Sequence, residues 1–454
     1  MTKRRSFIKK SVLGTAGIAI GGAGFSSRSF DSVIGANERI NISVIGVGGR
    51  GSAHLSAYCG MKDSHNVRIL NICDVDEMFW PTAVKTVQER SGFTPSAEWD
   101  MRRVFANKDI HAVSFATPNF WHALGTIWAC QAGKHVYVEK PVSYNIFEGR
   151  KMVEAGIKYK VHIQHGSAVA AGEAMDCLHS GGIGDVYMAR GLCLKPRESF
   201  GIAPDAEPPA SLHYDMWLGP APWRPYNAKR THYNWHWFWD TGNGDTGNQG
   251  PHQLHAARVG LKKDEHPVWI CSFGDIYGID RNECAQETPN TQTSLFKYAD
   301  GKMLVFDTRG RYTNAEGSNN TSIGNLFYGT EGYMEYSGGW KAFRKWEKEP
   351  FAGAKLKEKA AQQDPKDLRG SIGSSFANFI EVIRSGRDQD LINPILGGHY
   401  SASLAHLANI SYRLGGRELH FDGTKERFIN DRDANALLTR PEGYRKPYIV
   451  PDKL

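Results

Sequence analysis

An apolar run, residues 40–45 (INISVI), ends directly in Gly46-Val47-Gly48-Gly49-Arg50-Gly51, and a helical pattern (GSAHLSAYCGM) begins at once. This G-x-G-x-x-G in strand–loop–helix context restricts the fold more than any other feature. The first glycine permits a tight turn, the second lets backbone approach a pyrophosphate, and the third lets helix pack on strand. The helix N-terminus then faces the negative charge of the ligand. Asp74 closes the next apolar run, where a carboxylate accepts from both ribose hydroxyls and repels a 2′-phosphate. The expected cofactor is therefore NAD rather than NADP.

The pattern continues as strand, helix, strand: VRILNICDVD, HAVSFATP, KHVYVEKP and KVHIQHG alternate with amphipathic stretches. That rhythm predicts a doubly wound parallel sheet, a Rossmann domain over residues 38–166. From residue 167 to 430 the texture is that of an α+β domain with an open-faced, mostly antiparallel sheet. TSLFKYADGKMLVFDTRG and NLFYGTEGYMEYSGG read as hairpins, and two helices, SSFANFIEVIRSG and GGHYSASLAHLANISYRLG, follow a solvated excursion at 352–368. Residues 431–454 read as a polar tail. THYNWHWFWD (231–240) reads as a strand with Trp235, Trp237 and Trp239 on one side and His236 and Phe238 on the other.

The chain of 454 residues has a net charge of +7, part of it in one cluster at residues 3–10, and no other basic block suggests a nucleic-acid partner. Its 7 cysteines are scattered singly, which supports neither a zinc site nor a disulfide framework.

VEKPVS (138–143), TPNFWH (117–122) and the helices SSFANFIEVIRSG and GGHYSASLAHLANISYRLG resemble the Gfo/Idh/MocA oxidoreductases, the family of glucose-fructose oxidoreductase and inositol dehydrogenase. The resemblance implies cofactor contacts from Gly46, Gly48, Gly49, Arg50, Gly51, Asp74, Thr117, Asn119, His122, Glu139 and Lys140. It also implies a catalytic Lys140 near the nicotinamide. GNGDTGNQGPHQLHAAR (242–258) resembles the family's glycine-rich D-x-x-x-H stretch, which places the acid/base role on His252. Asn248 then stands where the family has aspartate, and it cannot carry charge beside the imidazole. Asp245 is the alternative source of that charge. Arg197, Tyr233 and Asp245 are the expected substrate contacts, with His232 a further polar candidate. His252 and His255 lack a third ligand, so no metal is expected. Homo-oligomers through the open sheet face are a further implication of the resemblance.

Residues 1–37 read as a leader. Arg4 and Arg5, then Ser6, Phe7, Ile8 and Lys9, precede a short run of small apolar residues, a pattern similar to a twin-arginine export signal and too short and glycine-rich for a stable membrane anchor. The resulting expectation is a periplasmic oxidoreductase that acts on a sugar or glycoside in carbohydrate breakdown and keeps NAD bound, since no nicotinamide pool exists there. The alternatives are a redox-neutral glycosidase or lyase that returns the hydride after elimination, and a noncatalytic sugar-binding protein of the same fold.

Overall fold

The computed structural model describes residues 38–168, 170–313, 322–355 and 372–454; the leader expected over residues 1–37 and most of the excursion expected at 352–368 lie outside them. The first sheet holds β1 (Ile40–Ile45), β2 (Val67–Cys73), β3 (Ser96–Glu98), β4 (Ala112–Phe115), β5 (His135–Val138) and β6 (Ile163–His165). Their order is β3-β2-β1-β4-β5-β6, all parallel, which is the Rossmann arrangement. Ligands of such sheets bind beyond the carboxyl ends of the strands where the order reverses, here beside β1 and β4. The edge strand β3 is absent from the sequence reading, because three residues with two polar ones carry no periodicity.

The second sheet comprises β7 (Val186–Cys193), β8 (Trp269–Asp275), β9 (Thr291–Lys297), β10 (Met303–Arg309), β11 (Ile323–Gly329), β12 (Gly332–Tyr336), β13 (Gly339–Arg344), β14 (Ala352–Lys355), β15 (Leu419–Asp422) and β16 (Arg427–Phe428). Its order is β14-β13-β12-β11-β7-β10-β9-β8-β15-β16, with β7 and β10 parallel and the other pairs antiparallel. One face is covered by the helices Gly250–Gly260 and Ile395–Arg413, whose Leu254, Ala257, Leu404 and Leu407 pack on Phe296, Phe306 and Phe327.

Two expectations are corrected. Residues 234–237 form one turn of 3₁₀ helix rather than a strand, closed by the Thr241 hydroxyl donating to Trp235 O at 2.9 Å. The three tryptophans therefore diverge. The final segment is no free tail: Tyr448 and Val450 are buried, and Tyr448 packs edge-on to Trp121 with ring centroids 5.4 Å apart.

A buried junction ties the two halves of the fold together. Glu426 accepts from Arg150 Nη2 (2.5 Å), His266 Nε2 (2.8 Å) and His399 Nε2 (2.6 Å). Burial opposes its charge, yet the two imidazoles and the guanidinium hold its pKa far below the ordinary 4.5. A carboxyl depressed in the folded state stabilises fully above its unfolded pKa, and that contribution declines as pH falls toward the folded value. Glu426→Gln should accordingly cost about 3 kcal/mol near neutral pH. The gap between denaturant melts of the two proteins should narrow as the buffer is taken below the ordinary carboxylate pKa toward about pH 3; a gap that stays constant would remove Glu426 from the acid sensitivity.

Candidate active site

The loop after β1 turns because Gly46 adopts φ +85°, and a Cβ there would lie 2.7 Å from Thr117 N. A Cβ on Gly51 would strike the Gly46 carbonyl, whereas Gly49 faces open space. The loop is thus closed against its neighbours and open toward a cavity of about 440 Å³ at the strand ends. Gly46, Gly48, Gly49, Arg50, Asp74, Thr117, Glu139, Lys140 and Tyr233 all line this cavity. Asp74 Oδ2 accepts from Val47 N (2.7 Å) and Gly48 N (3.3 Å), and Oδ1 accepts from Asp76 N (3.0 Å). Burial raises its pKa and these backbone bonds oppose the rise. A glycine loop tight against its neighbours at Gly46 and Gly51, open to the cavity at Gly49 and followed by a carboxylate at the end of β2, fits a dinucleotide.

Glu139 ends β5 fully enclosed. It accepts from Arg50 Nε at 2.7 Å, lies 3.1 Å from His54 Nε2, and accepts from the Lys140 amide at 3.2 Å. Burial works against its ionisation, but His54 and Arg50 hold its pKa far below the carboxylate range. The next residue, Lys140, is half-buried and donates from Nζ to Asn248 O (2.6 Å) and Asn248 Oδ1 (3.3 Å). Burial lowers the Lys140 pKa, with Glu139 pulling the other way and Arg50 and Lys195 adding to the drop. Two Nζ positions are directed at Asn248, which leaves the third, proton or lone pair, for a ligand.

Asn248 therefore serves Lys140 and not His252. The His252 ring takes its hydrogen bond at Nδ1 from Ala168 N (2.9 Å), so the neutral imidazole carries its proton on Nε2. Burial takes its pKa to about 3, and the ring stands outside the cavity lining. His236 has the opposite tautomer: Nδ1 donates to Tyr233 O at 2.5 Å, leaving Nε2 as an acceptor on a ring that lines the cavity. It stacks on Trp235 with centroids 3.6 Å apart, and burial lowers its pKa to about 3.

Four other expected contacts are placed elsewhere. Asn119 donates to Asn243 Oδ1 at 2.6 Å inside the domain seam. His122 bridges Pro141 O (2.7 Å) and Thr117 O (3.0 Å), bracing the two turns that carry Thr117 and Lys140. Arg197 and Asp245 are consumed by each other, Nη2–Oδ1 2.7 Å and Nε–Oδ2 3.0 Å, so Asp245 supplies no charge to His252. His255 is 3.0 Å from Ser401 Oγ and does not converge with His252. Lys195 and His236 line the cavity without having been singled out from sequence. Their only signal there was proximity to Arg197 and Tyr233, since alternation along a misread strand points the wrong rings inward.

Residues 40–167 match the model of the oxidoreductase-family NAD-binding Rossmann fold, and residues 201–334 and 361–450 match that of the family's C-terminal alpha/beta domain. The chain belongs to the Gfo/Idh/MocA oxidoreductase family. Its cofactor is NAD. A levoglucosan dehydrogenase of Pseudarthrobacter phenanthrenivorans is 29% identical over 177 residues, 35% of this chain and 42% of that protein. A glycosyl hydrolase family 109 protein of Shewanella baltica is 27% identical over 168 residues, 33% of this chain and 36% of that protein. The chain thus matches less than half the length of these curated relatives. Among solved structures, a levoglucosan dehydrogenase with NADH and levoglucosan superposes with TM-score 0.61 at 18% identity, covering 84% of this chain and 99% of that one. The WlbA dehydrogenase of Bordetella pertussis, with NADH and UDP-GlcNAcA, gives 0.59 at 18%, covering 85% and 99%. At these identities the likeness is one of fold.

The Lys140–Asn248 contact generates a pH prediction. Lys140 must be neutral to take a proton, so oxidation should rise with pH through its depressed pKa. Asn248→Asp sets a carboxylate against the ammonium, raises that pKa, and should move the rising limb of the rate profile about 1–2 pH units upward. An unmoved limb, with nucleotide still bound, would exclude Lys140 as the titrating group.

Proposed function

We propose that this protein oxidises a hydroxyl of a sugar or glycoside with an NAD that it retains between turnovers. The observation that carries the reading is a strap from the second domain, residues 209–236, across the cofactor groove. Asp76 and Leu212 form a β-bridge, Glu77 N donates to Ser211 O (3.0 Å), and His213 N donates to Val75 O (2.9 Å). His213 stacks on Trp99 at 4.1 Å, and Trp121 Nε1 donates to Met216 O at 2.9 Å. At the far end His232 Nε2 meets Asp76 Oδ2 at 3.0 Å, and His232, Tyr233, Trp235 and His236 form one wall of the cavity.

Gly46, Gly48, Gly49 and Arg50 would hold the pyrophosphate side and Asp74 the ribose. NAD supplies a hydride acceptor when bound. Lys140, its pKa lowered by burial and its Nζ steered by Asn248, takes the hydroxyl proton when in its neutral form. His236 Nε2 accepts from the same or a neighbouring hydroxyl and orients it, and the buried Trp235 backs the His236 ring by stacking on it.

Retention of NAD supports a closed redox cycle, which in turn suits a periplasmic protein exported by the twin-arginine route after folding around its cofactor. A second reading, a redox-neutral glycosidase or lyase, draws on the likeness to the glycosyl hydrolase family 109 protein and uses the same retained cofactor. Analysis of products separates the two: an oxidised sugar for the first, a cleaved glycoside with no net oxidation for the second.

Protein purified without added nucleotide and then denatured should release NAD or NADH in about 1:1 ratio to chain, as tight cofactor linkage requires. His232→Ala opens the strap's far end and should raise the nucleotide release rate about fivefold, the worth of one half-exposed pair. Protein that is empty as purified and exchanges nucleotide freely would overturn the retention.

A further inference from the structure

The charges around Lys140 do not balance. Glu139 is paired with Arg50, and Asp245 with Arg197, so both nearby carboxylates are already taken by guanidinium groups. Asp74, the other carboxylate lining the cavity, sits on the amides of the glycine loop. Asn248, the partner of Lys140, is uncharged. Among the described residues Lys195 is left without a carboxylate to compensate its charge.

Lys195 follows the end of β7, lines the cavity and is half-buried, and it has no hydrogen bond or ion pair among the described residues. Its charge bears on Lys140 and contributes to the lowering of that pKa. A half-buried ammonium that no carboxylate meets is a ready partner for an arriving anion. Arg197 cannot be the anion's partner, because its fork is filled by Asp245.

Resting on the sugar oxidation proposed above, we infer that the substrate is an acidic sugar, bearing a carboxylate or a sulfate ester that pairs with Lys195 while a hydroxyl meets Lys140. The stacked Trp235 and His236 supply the ring platform beside it. A neutral sugar leaves Lys195 without a counter-ion and forgoes the one interaction that this wall of the cavity is charged to make.

The test uses the protein with the nucleotide it carries from purification. Hexuronates, sulfated hexoses and the matched neutral hexoses are titrated in parallel. Binding is read from tryptophan fluorescence and turnover from the absorbance of reduced nicotinamide. One acidic series should bind at least about tenfold tighter than its neutral counterpart, and the advantage should shrink as salt is raised. Lys195→Met should erase the advantage and Lys195→Arg should keep most of it. Preference between the two acidic series identifies the anionic group. Equal or weaker binding of both, or an advantage that survives Lys195→Met, overturns the inference. If neutral sugars alone reduce the bound nicotinamide, the acidic class falls and sugar oxidation stands. If no sugar reduces it although nucleotide is present, sugar oxidation falls, and the substrate class with it.

Discussion

The buried carboxylate of Glu139 is the constraint around which this site is arranged. An enclosed carboxylate needs donors on every side, and Glu139 finds three: Arg50 at the helix start, His54 one turn later, and the Lys140 amide. His54 is itself held by Ser114 at 2.8 Å, so β4 joins the same network. Even Gly166 belongs to it, since a Cβ there would lie 3.0 Å from the Glu139 carboxyl carbon. One ionised group thus sets the glycine loop, the end of β5 and the turn after β6 relative to each other. Lys140 inherits its position as the next residue along the chain.

From Lys140 the ordering passes into the second domain. Its Nζ reaches Asn248, Asn119 reaches Asn243, and Asn243 in turn donates to Tyr144 O at 3.1 Å. These polar contacts cross the seam at the point where a substrate must lie against the cofactor. Neutral amides make up much of this seam, so the hydrogen-bond partner of Lys140 carries no charge, and the lysine's lowered pKa comes chiefly from burial, opposed by Glu139 and reinforced by Arg50 and Lys195. The same geometry distinguishes two histidines by tautomer. A backbone amide makes His252 a donor at Nε2, and a backbone carbonyl makes His236 an acceptor there.

The strap gives the site its enclosure by a separate means. Its pairing with Val75, Asp76 and Glu77 extends the chain beyond the end of β2, next to Asp74. Loop backbone hydrogen bonds, a stacked His213–Trp99 pair and the His232–Asp76 contact act at different points along it. No single one is strong, and their sum makes opening a cooperative event.

The parallel sheet, the dinucleotide loop and Asp74 were legible in the sequence, because strand–loop–helix periodicity and glycine spacing are local properties. So were the hairpins at ADGK and GTEG, where turn residues sit between alternating runs. The roles of Asn248, Arg197 and Asp245 were not, because they depend on which charged group is nearest in space. Asp245 captures Arg197 across 48 residues of chain, and Lys195 is left without an ion pair among the described residues. The tryptophans of 235–239 were misread because an alternating pattern fits a strand and a 3₁₀ turn equally over so few residues. Periodicity reports the faces of regular elements, whereas the partner of a buried charge is settled only when distant segments compete for it in the folded chain.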